Sequence, residues 1–340
     1  MSGDRLEPIL TIFCTVANVQ SVFKKEMERE PLKEILVIGG SGFVGKALIP
    51  MLLGAGHLVT VLNRGNHKMT GVLQIVADRD DQKAMSKLTS EFDVVIDTSG
   101  YTKRQVETAL SVFGKAANRW IHLSSAAVYS EKSDGLATED DPLGGDPIWG
   151  EYGVDKSEAD EFLIEAVDAK LAILRPPYLY GPNNTNDRET FIWSRVLSGR
   201  PIIYPGNGSA LFQFLHVEDL AAIITHLVDA EFENCAVYNI AEPETMNAET
   251  WAKRLAKLLG GNLKLVSGDI HAAGITARKY FPFRDYPCAL DVRKFMYEMN
   301  WKFRFDFDNG MKNTLSCYDL DELDQCSPSS PEELRILSDM

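Results

Sequence analysis

Three residues of this sequence have the types and spacing to move a proton to or from an alcohol. Tyr152 and Lys156 are four residues apart, so their side chains share one face if the segment is helical. A lysine ammonium next to a phenol stabilises the phenolate and lowers the tyrosine pKa toward neutral pH. Such a tyrosine can take the proton of a hydroxyl group while a hydride leaves the same carbon, or return that proton to a carbonyl. Ser125, at the end of an apolar segment, can hold the same oxygen through its hydroxyl group.

A glycine-rich loop near residue 40 predicts where the hydride carrier binds. Three glycines recur at every third position between an apolar segment and an amphipathic run, beginning at Gly39. Glycine permits a sharp turn and lets backbone N–H groups approach a pyrophosphate, which then lies at the positive end of the following helix. The predicted dinucleotide contacts in this loop are Gly39, Gly42, Phe43, Val44 and Gly45.

The residues after the second and third apolar segments bear on the kind of dinucleotide. Asn63 stands where an acidic residue would bind the adenosine ribose of NAD, and Arg64 could pair with the 2′-phosphate of NADP. The alternative for Arg64 is a surface arginine in a turn, but the two positions together favour NADP over NAD. Asp78 could accept a hydrogen bond from the adenine amino group, or it could cap the next helix.

Short apolar segments alternate with longer amphipathic runs from residue 33 onward, and these elements must position the residues above. The predicted strands are 35–38, 57–62, 73–77, 93–97, 120–123, 171–174 and 237–240. The predicted helices are 45–55, one from near residue 156, 215–228 and 250–259. Strands alternating with helices indicate parallel βαβ units, so the predicted fold class is α/β with a doubly wound parallel Rossmann sheet.

The amino-acid composition of the sequence changes after Pro176, and this change suggests a second domain. Residues 180–210 are rich in Gly, Pro and Asn, which predicts irregular structure. We predict an NAD(P)-binding domain formed by residues 33–178 and 211–241, and a smaller α/β substrate domain formed by residues 179–210 and 242–318. Residues 1–32 form an N-terminal extension, and its first 26 residues are either an added helix or foreign to the protein, since Met27 could serve as a start codon. Residues 319–340 form a weakly ordered tail.

Composition narrows the classes of partner. The formal net charge is -14, which argues against nucleic acid as a partner. The five cysteines are scattered and show no CxxC spacing, which is typical of free thiols in a reducing compartment. The histidines are equally dispersed, so no metal site is predicted. No segment is long and apolar enough for a membrane span, and we expect a cytoplasmic protein with a small-molecule substrate.

The order of these features resembles the extended short-chain dehydrogenase/reductases of the NAD-dependent epimerase/dehydratase family. The resemblance runs from residue 34 to about residue 318, and it rests on the glycine loop, Ser125, Tyr152 and Lys156 together with further landmarks. Those landmarks are the segments 174–182, 214–220, 238–240 and 291–301. The amino-acid sequences of segments 61–65, 77–81 and 95–101 are similar to those of a subgroup that contains epimerase-like proteins and chloroplast stem-loop RNA-binding proteins.

The resemblance implies a role for each site residue. Ser125 would orient the substrate oxygen, Tyr152 would be the acid/base, and Lys156 would also hold the nicotinamide ribose. Pro177 would lie beside the nicotinamide ring. Further implied cofactor contacts are Arg79, Thr98 and Ser99, and the implied substrate pocket consists of Tyr101, Ala126, Tyr178, Tyr180 and Phe212. Tyr101 and Tyr180 could instead be packing residues. Relatives often dimerise through the helices that include Tyr152, so a homodimer is expected, which a monomer in sedimentation at micromolar concentration would contradict.

Two departures from the family pattern narrow the reaction and the substrate. Ala126 and Ala127 stand where sugar-nucleotide dehydratases of this family carry acidic side chains, and alanine cannot relay the proton that the elimination of water needs. Phe212 stands where nucleotide-sugar epimerases show an arginine that binds the diphosphate, and Tyr178 replaces an asparagine. An arginine elsewhere could compensate, although each is better interpreted as a surface residue. The candidates are Arg195, Arg278 and Arg284.

The sequence therefore predicts an NAD(P)-dependent epimerase or reductase acting on a sugar or sugar-like secondary alcohol or ketone. The alternative is a non-catalytic dinucleotide-binding or RNA-associated protein of the same fold. Net charge and the complete set of Ser125, Tyr152 and Lys156 argue against that alternative.

Overall fold

The computed structural model describes residues 32–66, 68–88, 90–130, 136–186, 188–272, 274–323 and 327–339. All of the predicted N-terminal extension except its last residue lies outside the described residues, as do Cys14 and Cys326. From residue 34 onward the chain forms one compact unit.

A parallel sheet of seven strands carries the rest of this unit, as the alternation of apolar and amphipathic segments predicts. Its strands are β1 (Glu34–Ile38), β2 (Leu58–Asn63), β3 (Leu73–Val76), β4 (Val94–Asp97), β5 (Arg119–Leu123), β6 (Lys170–Arg175) and β10 (Cys235–Asn239). Across the sheet they lie in the order β3-β2-β1-β4-β5-β6-β10. The direction of winding reverses between β1 and β4, and ligands of doubly wound sheets bind in the crevice at such a point.

Helices cover both faces of this sheet, because its strands are apolar on both sides. One face packs against α1 (Phe43–Gly54) and α6 (Val217–Asp229), which also contact each other. The other face packs against α3 (Lys103–Phe113) and α4 (Glu151–Ala166). Helix α4 begins five residues before the predicted start near Lys156, so Tyr152 lies inside it.

The remaining elements form a second core beside the carboxyl ends of the large sheet. Its strands are β7 (Tyr178–Tyr180), β8 (Ile202–Tyr204), β9 (Leu211–His216), β11 (Thr245–Asn247) and β12 (Leu265–Ser267), of which β7, β9 and β11 form one sheet and β8 and β12 another. Its helices are α5 (Arg188–Ser198), α7 (Ala248–Leu258), α8 (Gly268–His271), α10 (Phe307–Leu315), α11 (Leu320–Leu323) and α12 (Pro331–Ser338). Two others, α2 (Gln82–Met85) and α9 (Arg293–Glu298), lie beside the large sheet, and Phe295 of α9 packs in the core of that sheet.

Three local predictions are corrected by this second core. The segment 180–210 is not irregular throughout, because α5 is a buried helix that carries the fully buried Trp193. Strand β9, at residues 211–216, pairs with β7 and β11 rather than with the large sheet, so the chain rejoins that sheet only with α6 and β10. The domain boundaries otherwise remain a prediction.

The third correction concerns the C-terminal segment, which is packed rather than weakly ordered. Arg195 of α5 and Glu333 of α12 form a buried ion pair, in which the Arg195 Nε to Glu333 Oε1 distance is 2.9 Å. Both residues are 1% exposed, so Arg195 is not the surface residue that the sequence suggested. It is also not available to bind a diphosphate. Leu323 and Ile336 complete this contact with the second core.

We expect Glu333→Gln to destabilise the protein by about 3–5 kcal/mol, because removing one partner leaves a buried guanidinium without its countercharge. The free energy of unfolding in urea, with equal m-values, is the measurement. The matched control is Glu332→Gln at the neighbouring position, where a partly exposed carboxylate lies 3.9 Å from Lys279 and the expected cost is below about 1 kcal/mol. Equal costs for both variants would show that the buried pair does not hold the segment.

Candidate active site

The carboxyl ends of β1, β4 and β5 bring most of the predicted site residues to one edge of the sheet. The glycine loop follows β1, Thr98, Ser99 and Tyr101 follow β4, and Ser125 follows β5. Helix α4 crosses this edge with Tyr152 and Lys156 in its first turns. The parallel topology therefore explains why residues far apart in the sequence meet here.

The glycine loop has the shape that a dinucleotide pyrophosphate requires. A Cβ atom at Gly45 would lie 2.1 Å from the carbonyl oxygen of Gly40, so only glycine allows α1 to start against β1. A Cβ at Gly42 would instead point into open space, with Gly39 O at 3.9 Å as its nearest neighbour. Among the described residues no side chain caps α1 at Gly42, which leaves its first N–H groups for an anion. The loop thus fits the predicted cofactor.

Lys156 is the most constrained residue of the site. Its Nζ donates hydrogen bonds of 2.7 Å to the carbonyl oxygens of Gly100 and Leu123, at the ends of two neighbouring strands. The ammonium also lies 5.0 Å from the centre of the Tyr101 ring. Burial lowers the pKa of Lys156 to about 8, while the nearby Asp160 opposes that shift. The group is therefore mostly a cation at neutral pH and loses its charge just above it.

Tyr152 is accessible to solvent at this edge of the sheet, since 42% of the residue is exposed. Its ring centre is 6.4 Å from that of Tyr101. Desolvation of the hydroxyl end raises the pKa of Tyr152, and a hydrogen bond with Ser125 lowers it in part. In the absence of cofactor the phenol therefore keeps its proton at neutral pH. Ser125 also accepts a hydrogen bond from the backbone N–H of Ala127, which fixes its hydroxyl oxygen at the start of a short 3-10 turn.

A buried polar network that the sequence did not predict lies next to Lys156, one helical turn further along α4. Asp160 lies one helical turn further along α4 and accepts hydrogen bonds from Ser124 Oγ at 2.8 Å and Arg175 Nε at 2.9 Å. The His122 ring lies beside it, with Nε2 at 3.8 Å from Asp160 Oδ1. Burial lowers the pKa of His122 to about 3, so this ring is neutral. The four-residue spacing from Lys156 to Asp160 was the sequence signal that could have revealed the network.

Arg79 occupies a different role from the direct cofactor contact that the resemblance implied. Its guanidinium forms two hydrogen bonds with Asp97, at 2.7 and 2.9 Å, and a third with Ser99 Oγ at 2.9 Å. Burial alone would raise the pKa of Asp97, but Arg79 holds it at about 2. Arg79 thereby fixes the loop that carries Thr98 and Ser99, and Thr98 Oγ1 in turn donates to Ile38 O at 2.9 Å.

The predicted adenosine end contains an exposed cation and two residues that shape the loops. Asn63 Oδ1 accepts hydrogen bonds from Gly65 N at 2.9 Å and Gln74 Nε2 at 2.8 Å, which fixes the turn after β2. Arg64, next to it, is exposed. Asp78 is also exposed and does not cap the next helix, because Asp81 accepts the hydrogen bond from Ala84 N. Asp78 Oδ1 instead accepts a hydrogen bond from Asp80 N at 3.0 Å, which shapes the turn after β3, and its contact with adenine stays a prediction.

The predicted substrate pocket is divided between open and buried residues. Tyr101 is 49% exposed beside Tyr152, and Pro177 is partly buried between β6 and β7. Tyr180 and Phe212 are fully buried in the second core, and Tyr180 Oη donates to Glu242 at 2.8 Å. These two are therefore packing residues rather than pocket walls. Ala126 and Tyr178 are also buried, at 5% and 8% exposure, directly beneath the cleft.

The comparisons with known proteins agree with this arrangement. A profile of the NAD-dependent epimerase/dehydratase family matches residues 35–241. This chain belongs to that family. The chloroplast stem-loop binding protein of 41 kDa b from Arabidopsis thaliana is 31% identical over 85% of this chain and 79% of its own length. An undecaprenol-linked N-acetylglucosaminyl 4-epimerase of Escherichia coli O157:H7 is 24% identical over 63% of the chain and 68% of its own length.

Solved structures of the family share the fold of this chain. The Bordetella bronchiseptica enzyme WbmG, solved with NAD and UDP, superposes with a TM-score of 0.71 at 19% identity, covering 87% of this chain and 97% of that one. The UDP-glucose 4-epimerase of Thermotoga maritima, solved with UDP-glucose, gives a TM-score of 0.67 at 18% identity over 84% and 98%. The predicted α/β Rossmann fold is thereby confirmed.

The described residues also bear on metal binding and on membrane insertion. Among the described residues no three His, Cys, Asp or Glu side chains are grouped so that they could hold a metal ion. No helix in the described ranges is long and apolar enough to span a bilayer.

Replacing Gly42 with alanine should lower cofactor affinity, whereas replacing Gly45 with alanine should lower stability. We expect Gly42→Ala to change the free energy of unfolding by less than about 0.5 kcal/mol. Its methyl group would fill the open space in front of α1, so NAD(P) affinity should fall on the order of tenfold. Gly45→Ala should instead cost about 1–3 kcal/mol of stability, because its Cβ meets backbone. Urea unfolding and calorimetric titration measure the two quantities, and unchanged cofactor affinity in the Gly42 variant would place the pyrophosphate elsewhere.

Proposed function

We propose that this protein moves a hydride between NAD(P) and a sugar or sugar-like secondary alcohol or ketone, as an epimerase or a reductase. The observation that carries the proposal is the convergence of Ser125, Tyr152 and Lys156 on the edge of the sheet beside the glycine loop. Family membership and the fold support an NAD-dependent enzyme of this kind. The solved structure of WbmG contains NAD, and that of the Thermotoga maritima epimerase contains UDP-glucose.

The residues of the chain supply the proton chemistry. Ser125 holds the substrate oxygen, and Tyr152 gives its phenolic proton to a carbonyl oxygen or takes the proton of a hydroxyl group. The nicotinamide ring, when bound, supplies or accepts the hydride at the same carbon. Lys156 keeps a positive charge beneath the two tyrosines and stabilises the phenolate that forms. Because the pKa of Tyr152 is raised, its resting form is the proton donor, which suits reduction of a carbonyl.

Ala126 and Ala127 narrow the reaction further. Both are buried and apolar, so neither can relay the proton that a dehydratase needs. An epimerase and a reductase need no such group. The two differ in the fate of the nucleotide, because an epimerase recycles a tightly held NAD(P)+ and a reductase consumes exchangeable NADPH. The identity of any nucleotide released on denaturing the purified protein distinguishes them.

We further propose a homodimer formed through α3 and α4, and a reducing, cytoplasmic environment. On α4, Val154 and Ile164 are each 41% exposed, which leaves an apolar surface for a second copy. The described cysteines are free thiols. The RNA-associated alternative draws support from the Arabidopsis relative's name, but the net charge of -14 opposes a phosphate backbone.

Replacing Tyr152 tests the proposal directly. Tyr152→Phe should lower the rate of hydride transfer about 10²–10⁴-fold, because the ring is kept and only the acid/base group is lost. Cofactor affinity and stability should stay unchanged. The control is Tyr297→Phe, since Tyr297 is 89% exposed on α9. Full activity in the Tyr152 variant would refute the catalytic role, and a biological activity that survives it would favour the binding-protein alternative.

Arg64 tests the preference for NADP over NAD. We expect Arg64→Gln to weaken NADP about 10–100-fold and to leave NAD affinity unchanged, because the lost contact is a charge-assisted hydrogen bond to the 2′-phosphate. Calorimetric titration of both nucleotides measures this difference. Lys68→Gln, a nearby exposed cation, serves as the control. Equal effects on the two nucleotides would remove the argument for NADP.

A further inference from the structure

Tyr178 carries a buried hydroxyl group that the mechanism does not use. The residue is 8% exposed, and among the described residues its Oη has no hydrogen-bond partner. Its ring packs against Phe283, with centres 4.6 Å apart, and against Trp149 at 6.3 Å. A buried hydroxyl without a partner costs free energy, so such a group commonly marks the place of a missing ligand.

Two arginines lie against the aromatic rings around this hydroxyl, and a third acts on it electrostatically. The Arg188 guanidinium lies 4.8 Å from the centre of the Tyr178 ring, and that of Arg284 lies 4.8 Å from the Trp149 ring. Arg188, Arg278 and Arg284 all act electrostatically on the Tyr178 hydroxyl. We call these three residues the arginine cluster.

Within the described part of the chain none of these three arginines forms a close ion pair with a carboxylate. Arg79 and Arg195, by contrast, pair closely with Asp97 and Glu333. Among the described residues their guanidinium groups donate hydrogen bonds to backbone carbonyls: Arg188 to Leu179, Arg278 to Pro282 and Arg284 to Ile148. Burial lowers the pKa of Arg188, the neighbouring Glu189 opposes that shift, and Arg278 adds to it. Like charges held together in this way are stabilised when an anion binds between them.

The arginine cluster borders the catalytic tyrosine. Cys288, which is buried, acts electrostatically on both Tyr152 and Tyr178, so the two tyrosines share this neighbour. Arg284 Nε donates to Ile148 O at 2.7 Å, in the short turn that leads into α4 and Tyr152. A molecule whose reacting carbon is at Tyr152 therefore extends toward these arginines.

We propose that the arginine cluster binds a phosphate monoester carried by the substrate, so that the enzyme acts on a sugar phosphate. This inference rests on the proposed function, because it assigns the far end of the same substrate. Three guanidinium groups match a phosphate dianion better than a single carboxylate, and their planar donors suit its oxygens. Phe212, which replaces the expected diphosphate arginine, is fully buried against Tyr178 and Phe283, so the wall beyond the cluster is apolar. A compact terminal phosphate fits this boundary better than a nucleotide diphosphate.

The test is a calorimetric titration of inorganic phosphate into the full chain already saturated with NADP+, which blocks the cofactor's own phosphate sites. We expect saturable binding at one site. Arg284→Gln and Arg278→Gln should each weaken it at least tenfold, as expected for the loss of one charge-assisted contact. Both side chains are at least partly exposed, so both variants should fold, and thermal unfolding checks this. Arg335→Gln, at an exposed arginine of α12, is the matched control.

Three outcomes would overturn the inference. They are the absence of saturable phosphate binding, equal affinities in the cluster variants and the control, and UDP binding that is tighter than phosphate and equally sensitive to Arg284. The last would assign the cluster to a nucleotide diphosphate. Tyr152→Phe should bind phosphate normally, so a failure here is separate from a failure of the hydride-transfer proposal. An enzyme that exchanges hydride but does not bind phosphate would refute only the inference.

Discussion

The burial of the Lys156 ammonium is the constraint on which the site depends. A cation in this position is tolerated only because two strand-end carbonyls accept its hydrogen bonds and Asp160 lies one turn away. One carbonyl belongs to the segment after β4 and the other to the last residue of β5, so the ammonium joins α4 to the middle of the sheet. The same contacts set the height of Tyr152 above the edge and its distance from Ser125. The same contacts of Lys156 therefore determine both the packing of α4 and the geometry of the catalytic residues.

The fold could be predicted from the sequence because its signals are local and redundant. Each strand of the large sheet is a short, mainly apolar segment, and the glycine loop lies between a strand and a helix. The predicted strands agree with the observed ones to within about two residues, as for residues 35–38 against Glu34–Ile38. Tyr152 and Lys156 share a helix, as their spacing required. Periodicity and turn chemistry suffice when both point to the same structure.

The sequence could not show which polar groups pair with one another. Arg79 and Arg195 look like ordinary charged residues in the chain, yet each is buried against a carboxylate far away in sequence. Helix α5 was missed because the glycine-rich and proline-rich residues around it dominate the composition of segment 180–210. Tyr180 and Phe212 were assigned to the pocket from their places in motifs, but their neighbours enclose them. Such errors arise where long-range contacts outweigh local preference.

The C-terminal segment joins parts of the molecule that the chain order keeps apart. Ser330 Oγ donates to Lys279 O at 2.6 Å, next to Arg278, and Ser327 O accepts from Arg200, just beyond the helix that begins at Arg188. A molecule that steadied those arginines would therefore also steady the last helix, although the two do not touch. Thermodynamic linkage makes this effect mutual. Substrate binding would then make the C-terminal segment more resistant to a protease. The rate of cleavage near the end of the chain would therefore show whether substrate is bound.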